Sequence, residues 1–223
     1  MNKAIVLTHG GIHSTTALAV AASRDYELYA LSFDYGQKNR IKLEAAKKIA
    51  AKYQVKEHRI VTFDISMLLE SPGGEAYRAG GILSVPARNN LFLSFALSWA
   101  EVIKAGNLFI GVNSTEYGDR PDCRSEFIHA FENLADVAMK KGDTLDHVHI
   151  WSPCMKNTTA LSILTGMELG VDYSDTYSCP DINDEGVSCG ECLSCENRKN
   201  GFKEAGITDP TRYSEVSVNQ RGC

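Results

Sequence analysis

The sequence predicts an α/β fold, an open and mainly parallel sheet flanked by helices, with a small zinc-stapled module at the C-terminal end. Three observations predict it. Short apolar runs without helical period alternate with amphipathic stretches, the pattern of strand–helix–strand units joined by right-handed crossovers. A Gly10-Gly11 turn follows the first apolar run. Cys179, Cys189, Cys192 and Cys195 crowd into a late segment rich in Asp, Ser, Gly and Pro.

Each element has its own reason. Residues 3–7, Lys-Ala-Ile-Val-Leu, read as a strand closed by His9-Gly10-Gly11, and Ser14 opens a small-residue helix through residue 22. Residues 26–33 form a second strand, 41–53 a helix with Leu43, Ala46, Ile49 and Ala50 on one face, and 57–63 a third strand. Residues 66–84 break the rhythm with Pro72-Gly73-Gly74 and Gly80-Gly81, which predicts a long loop of the kind that closes over a site. Residues 89–104 then read as an apolar helix, 108–112 as a fourth strand, 125–140 as an amphipathic helix, 147–151 as a fifth strand and 157–169 as a helix. The change of texture after Gly170 divides the chain into an α/β domain, residues 1–170, and a module with tail, residues 171–223.

Composition narrows the function classes. The 223 residues are 43% hydrophobic and 23% charged with a formal net charge of −5, which supplies no basic face for duplex nucleic acid. No apolar run approaches the ~20 residues that cross a bilayer, and the opening run is too short for a signal segment. The expected location is cytoplasmic.

In a reducing compartment the cysteine cluster reads as metal ligands before disulfides. The spacing Cys179-x9-Cys189-x2-Cys192-x2-Cys195 supplies four thiolates, the number that closes a tetrahedral zinc site, and Gly190 gives the knuckle room to turn. An iron–sulfur cluster and unligated buried thiols are the competing readings. Cys123, Cys154 and Cys223 stand apart, and Cys123 has no histidine placed by sequence to activate it.

The strand–turn–helix Thr8-His9-Gly10-Gly11-Ile12-His13-Ser14-Thr15-Thr16 is the natural anion site. Glycines let the backbone approach a ligand, the helix N-terminus points amides at it, and Ser14, Thr15 and Thr16 offer hydroxyls. The same turn before a Ser cap also occurs without any ligand. Arg88 and Asn89 follow Pro86 at a helix start, and Asp122 and Arg124 follow the fourth strand, where ligands of open parallel sheets collect. Surface ion pairs are the plain alternative for both.

These segments together resemble a known family. The glycine turn is similar to the Ser-Gly-Gly-x-Asp-Ser pyrophosphate loop of N-type ATP pyrophosphatases. In order there follow Ser32-Phe33-Asp34-Tyr35-Gly36-Gln37, Val85-Pro86-Ala87-Arg88-Asn89, Phe109-Ile110-Gly111-Val112-Asn113, Pro121-Asp122-Cys123-Arg124, the cysteine series, Arg198 and Gly201-Phe202. Over nearly the whole chain the series resembles the 7-cyano-7-deazaguanine synthase family of the queuosine pathway. The resemblance implies an adenine nucleotide alpha hydrolase-like sheet, structural Zn2+, ATP with Mg2+, and conversion of 7-carboxy-7-deazaguanine and ammonia to the nitrile through an adenylated intermediate. It implies a homodimer. It assigns ATP to Thr8 through Thr16 and Phe33, substrate to Tyr35, Gln37, Arg88, Asn89 and Asp122, and catalysis to Arg88, Asp122 and Arg124.

The chain departs from that pattern around the phosphates. His9 replaces a Ser, His13 an Asp, Asn39 a His, Thr159 a Lys and Leu161 a Glu. Two readings follow: a divergent active synthase whose backbone amides still hold phosphate, and a paralogue that keeps the base pocket and metal staple with altered or lost ATP chemistry. Metal ligation by His9 and His13 is disfavoured, because the pair straddles a turn and shares no helical face.

Overall fold

In the computed structural model the apolar runs pair as a five-stranded sheet of order β3-β2-β1-β6-β7, parallel throughout. The structure describes residues 2–37, 40–65, 78–79, 82–83, 85–113, 120–139 and 147–214. In chain order the elements are β1 (Asn2–Leu7), α1 (Ile12–Ala22), β2 (Tyr26–Asp34), α2 (Ile41–Lys52), β3 (Glu57–Thr62), β4 (Arg78–Ala79), β5 (Ile82–Leu83), α3 (Arg88–Ile103), β6 (Asn107–Phe109), α4 (Ser125–Ala138), β7 (His149–Trp151), α5 (Thr159–Glu168) and α6 (Leu193–Glu204). Single 3-10 turns occupy Pro121–Cys123 and Tyr173–Asp175.

Burial explains the strand composition. β1 is buried from Ala4 to Leu7 and β2 from Leu28 to Phe33, because both lie inside the sheet with helices on both faces, and the one polar residue there, Ser32, is hydrogen-bonded to Thr8. Alternate residues serve opposite faces. Ile5, Leu7 and Leu31 pack with Leu93 of α3 and Ile128 of α4, whereas Ala4, Val6 and Leu28 pack with Leu18 of α1 and Ile49 of α2. The edge strands β3 and β7 are only half buried.

Several boundaries differ from the sequence reading for local reasons. α1 begins at Ile12 and not at Ser14, with Gly11 as an extended N-cap. β6 stops at Phe109, since Gly111 must slip past the start of α1. The antiparallel pair of β4 and β5 falls within the loop expected at 66–84, whose other residues lie outside the described ones, as do Asn39, Lys140 and Cys223. Among the described residues no helix is long and apolar enough to cross a membrane.

The C-terminal segment is joined to the sheet domain by packing and by one buried cation. Phe202 of α6 packs with Ile163 of α5 and Ile12 of α1. Arg198, 2% exposed, donates Nε to Asp209 Oδ1 at 3.0 Å, Nη1 to Thr176 Oγ1 at 2.9 Å and Nη2 to the Tyr173 carbonyl at 3.1 Å. Burial opposes the Asp209 charge, but the Tyr213 hydroxyl and the Arg198 guanidinium outweigh it and hold the carboxyl below its usual range. Removing the guanidinium takes the cation from the half-buried Asp209 carboxylate and a donor from each of the Tyr173 and Thr176 carbonyls. Arg198→Ala is therefore expected to cost about 3–5 kcal/mol in urea unfolding, and a change under ~1 kcal/mol, the scale of an exposed pair, would refute this account.

Candidate active site

The sheet order reverses between β1 and β6, since the chain runs outward from β1 through β2 to β3 and then returns to build β6 and β7. A crevice opens there beyond the carboxyl ends of the strands. Two backbone approaches shape it. Gly10 has φ of 72°, and a Cβ on it would lie 2.4 Å from the Lys42 carbonyl oxygen. A Cβ on Gly111 would lie 2.5 Å from the backbone of His13 and Ser14. Larger residues at either position would push α1 away from its neighbours.

The crevice floor is the start of α1. Its first-turn amides have no acceptor inside the helix, and no side chain caps them. Ser14 Oγ donates to the Gly11 carbonyl at 3.2 Å and lies 3.4 Å from the His9 amide. The other hydroxyls have partners within the protein. Thr15 donates to the Gly11 carbonyl at 2.8 Å. Thr16 is fully buried against Tyr173, 2.8 Å from its hydroxyl. Thr8 Oγ1 sits 3.0 Å from Ser32 Oγ inside the sheet, and the Ile12 side chain is in the core with Ile163. What α1 presents at this turn is thus chiefly backbone.

Basic side chains ring the floor. The His9 imidazole lies over the turn, so that a Cβ on Gly11 would be 2.5 Å from its Cε1. His9 is exposed as a residue, yet desolvation by the groups around its ring and then the charges of Lys42, Arg88 and His13 draw its pKa down from 6.5 to about 3. His13 is hydrogen-bonded to Asn113 Nδ2. Burial draws the Lys42 ammonium down to about 8, and its Nζ donates to the Ser178 carbonyl at 2.9 Å. Lys42 is the residue that sequence reading missed, because a lysine in the first turn of an amphipathic helix has the signature of a solvent-facing side chain.

Beside the floor runs an aromatic shelf. Phe33 stacks on Phe92 with centroids 4.0 Å apart, and Tyr35 sits 5.6 Å from the same ring. Gln37 holds the turn after β2, accepting from the Tyr35 amide and donating to the Phe33 carbonyl, both at 2.8 Å. The Arg88 guanidinium lies 5.7 Å from the Phe92 centroid with Nη1 3.5 Å from the Tyr35 hydroxyl, while its buried Nε has no hydrogen-bond partner among the described residues. Asp122 is occupied: its Oδ2 accepts the Asn89 amide at 2.8 Å and Arg120 Nη2 at 3.2 Å. Asn89 is buried and donates Nδ2 to the Asp122 carbonyl, so this pair fixes the start of α3 and thereby aims Arg88. Arg124 is exposed at the start of α4. Cys123 is fully buried in the core, and Thr159 packs on Gly201 of α6.

The four cysteines converge. Cys179 Sγ is 3.5 Å from that of Cys189 and 4.0 Å from that of Cys192, and Cys189 Sγ is 3.9 Å from that of Cys195. Thiolates bound to one ion at about 2.3 Å sit roughly 3.8 Å apart at tetrahedral corners, so the set fits a single metal ion with no open position. Cysteines on separate irons of a larger cluster would stand farther apart. The module also abuts the crevice, since the Tyr177 amide donates to the Gly10 carbonyl at 2.8 Å two residues before Cys179.

If the walls and cations hold His9 neutral, its ring resonances should stay those of neutral imidazole from pH 8 down to 4.5 in a two-dimensional NMR titration. A depressed histidine pKa favours the folded state fully above 6.5, and that contribution fades as pH falls toward 3. A midpoint near 6.5 would contradict the geometry.

Comparison with known proteins gives a consistent result. The profile described as "QueC: Queuosine biosynthesis protein QueC" matches residues 3–206. The chain is similar to the 7-cyano-7-deazaguanine synthase of Coxiella burnetii (strain RSA 331 / Henzerling II), 48% identical over 222 residues that span 96% of this chain and 98% of that one. It is similar to the 7-cyano-7-deazaguanine synthase of Saccharophagus degradans, 46% identical over 224 residues spanning 95% and 98%. Among solved structures, the NMN synthetase from Francisella tularensis has a TM-score of 0.50 at 12% identity, covering 93% of this chain and 79% of that one, a likeness of fold alone.

Proposed function

Because the chain belongs to the 7-cyano-7-deazaguanine synthase family of queuosine biosynthesis, we propose that it converts 7-carboxy-7-deazaguanine, ammonia and ATP to 7-cyano-7-deazaguanine with its own altered phosphate seat. The observation that carries this reading is the uncapped start of α1 at the sheet's switch point, ringed by Lys42, Arg88 and the histidines. Bare amides and cations at one crevice suit a polyphosphate leaving group. Backbone donors do not depend on the side chains at 9 and 13, so replacement of Ser and Asp by His leaves them intact.

In this reading ATP is a substrate that activates the carboxylate, with pyrophosphate leaving. Ammonia displaces AMP to form the amide, and a second ATP activates the amide oxygen so that its loss with AMP yields the nitrile. The Phe33–Tyr35–Phe92 shelf takes the planar base, and Arg88 pairs with its carboxylate through the guanidinium edge that has an orphaned Nε. Asn89 and Asp122 act by positioning Arg88.

Magnesium fits poorly the donors that the described residues bring to the glycine turn. Its preferred ligands are carboxylate oxygens, whereas the turn offers imidazoles, hydroxyls and amides, and Asp122 is committed to Asn89 and Arg120. Magnesium therefore enters on the phosphates of the nucleotide, and no step is assigned to a protein-held ion. For the cysteines the assignment is zinc, a closed structural ion with thiolate ligands. Its role here is to hold Tyr177 and Ser178 against Gly10 and Lys42. A homodimer is part of the same proposal.

Incubation of the purified protein with the acid, ammonia, ATP and magnesium should release AMP and form the nitrile. Arg88→Gln should lower kcat/KM by about ten- to a hundredfold, the loss of a charge-assisted contact worth roughly 1.5–3 kcal/mol. AMP release no greater than a boiled control would overturn the activity, and tight binding of the acid without ATP cleavage would favour the paralogue. Elemental analysis should find at least one zinc per chain in protein purified without chelator, and Cys192→Ser should lower the content by one. Iron and labile sulfide in its place would reject zinc.

A further inference from the structure

A second group of side chains able to ligate a metal lies on and just before the edge strand β7 and on the helix α4 packed against it. The ligand atoms of Glu132, His147 and His149 all lie within 4.8 Å of one another. None of these residues belongs to the crevice or to the cysteine module.

The arrangement follows from two periodicities. His147 and His149 are two apart along extended chain and so share a face, while Glu132 and Asp136 are four apart on α4 and so share a helical stripe. Packing α4 on β7 brings carboxylates to imidazoles. Glu132 is 8% exposed, with Oε1 accepting the Ile150 amide at 2.8 Å and lying 3.0 Å from His149 Nδ1. That 3.0 Å suits a hydrogen bond, and it equally suits two ligands on one ion with bonds of about 2.0–2.2 Å. His147 Nδ1 lies 2.8 and 2.9 Å from the two Asp136 carboxylate oxygens. A carboxylate on Nδ1–H fixes the tautomer that leaves Nε2 with its lone pair outward, the arrangement that supports a metal-bound histidine. Beside the group is a recess of about 270 Å³, lined by Glu132 and His149 together with Arg24, His129 and Trp151.

We propose that Glu132, His147 and His149 form a second metal site, for a divalent ion of the zinc, cobalt or nickel class, with Asp136 orienting His147. Two imidazoles and one carboxylate are a donor set such ions accept, and three protein ligands leave a position open toward the recess for water or a small anion. The ion would cross-link α4 to β7 and stabilise the folded chain by mass action.

The chain has two tryptophans, and the ring of Trp151 lies 4.2 Å from that of His149, which supplies a local reporter. Untagged protein with its cysteine site filled by zinc would be titrated with Co2+. The expected result is saturable fluorescence quenching at one added equivalent, with a weak visible spectrum free of sulfur-to-cobalt charge transfer. His147→Gln and His149→Gln should each weaken binding more than tenfold, and Asp136→Asn by about 10–100-fold, with zinc content and circular dichroism unchanged. Trp151→Phe should abolish the quenching while equilibrium dialysis still counts one cobalt. No saturable binding below ~1 mM, or unchanged binding in the His147→Gln/His149→Gln double variant, would reduce the cluster to histidine–carboxylate ion pairs and overturn the proposal.

Discussion

Bare amide donors at the start of α1 are the constraint around which the rest of the molecule is arranged. A helix must leave its first N–H groups without internal acceptors, and here no side chain caps them. The usual remedy, a Ser or Asp cap, is absent because Gly11 holds that position. Gly10 and Gly111 then bring α2 and the end of β6 so close that the donors line a narrow crevice. The switch in sheet order between β1 and β6 is what opens space above them.

The C-terminal segment completes this crevice. Each nitrogen of the Arg198 guanidinium donates to Asp209, Thr176 or Tyr173, which fixes the chain path just before Tyr177. Tyr177 reaches the glycine turn, Ser178 takes Lys42, and Cys179 begins the metal ligands. The staple and the buried cation therefore act on the same few residues from opposite ends. A metal ion held by the four cysteines, with no open position, would do no chemistry of its own and would fix where a wall of the crevice stands.

Direction is the information that spacing along the chain does not carry. Ser14, Thr15 and Thr16 look equivalent in sequence, yet in the helix Ser14 and Thr15 both bond back to Gly11, only Ser14 also meets the His9 amide, and Thr16 turns toward Tyr173. Asp122 reads as a candidate catalytic carboxylate, and folding commits it to the amide of Asn89 and to Arg120. Lys42 carries no sequence signal, since its partner Ser178 is 136 positions away. The group of Glu132, His147 and His149 is likewise invisible until α4 lies on β7.

By itself the sequence determined the alternation of strands and helices, the parallel sheet, the glycine turn, the cysteine ligand set and the family. Each of these rests on local periodicity, on backbone freedom at glycine or on residue types at short spacing, and such signals survive without knowledge of the fold. Only the tertiary structure decided which hydroxyls reach the crevice, which cations surround it, how the cysteine module braces it and where a second ligand group assembles. Those outcomes depend on contacts between residues far apart in the chain, and their distances exist only once the helices have packed on the sheet.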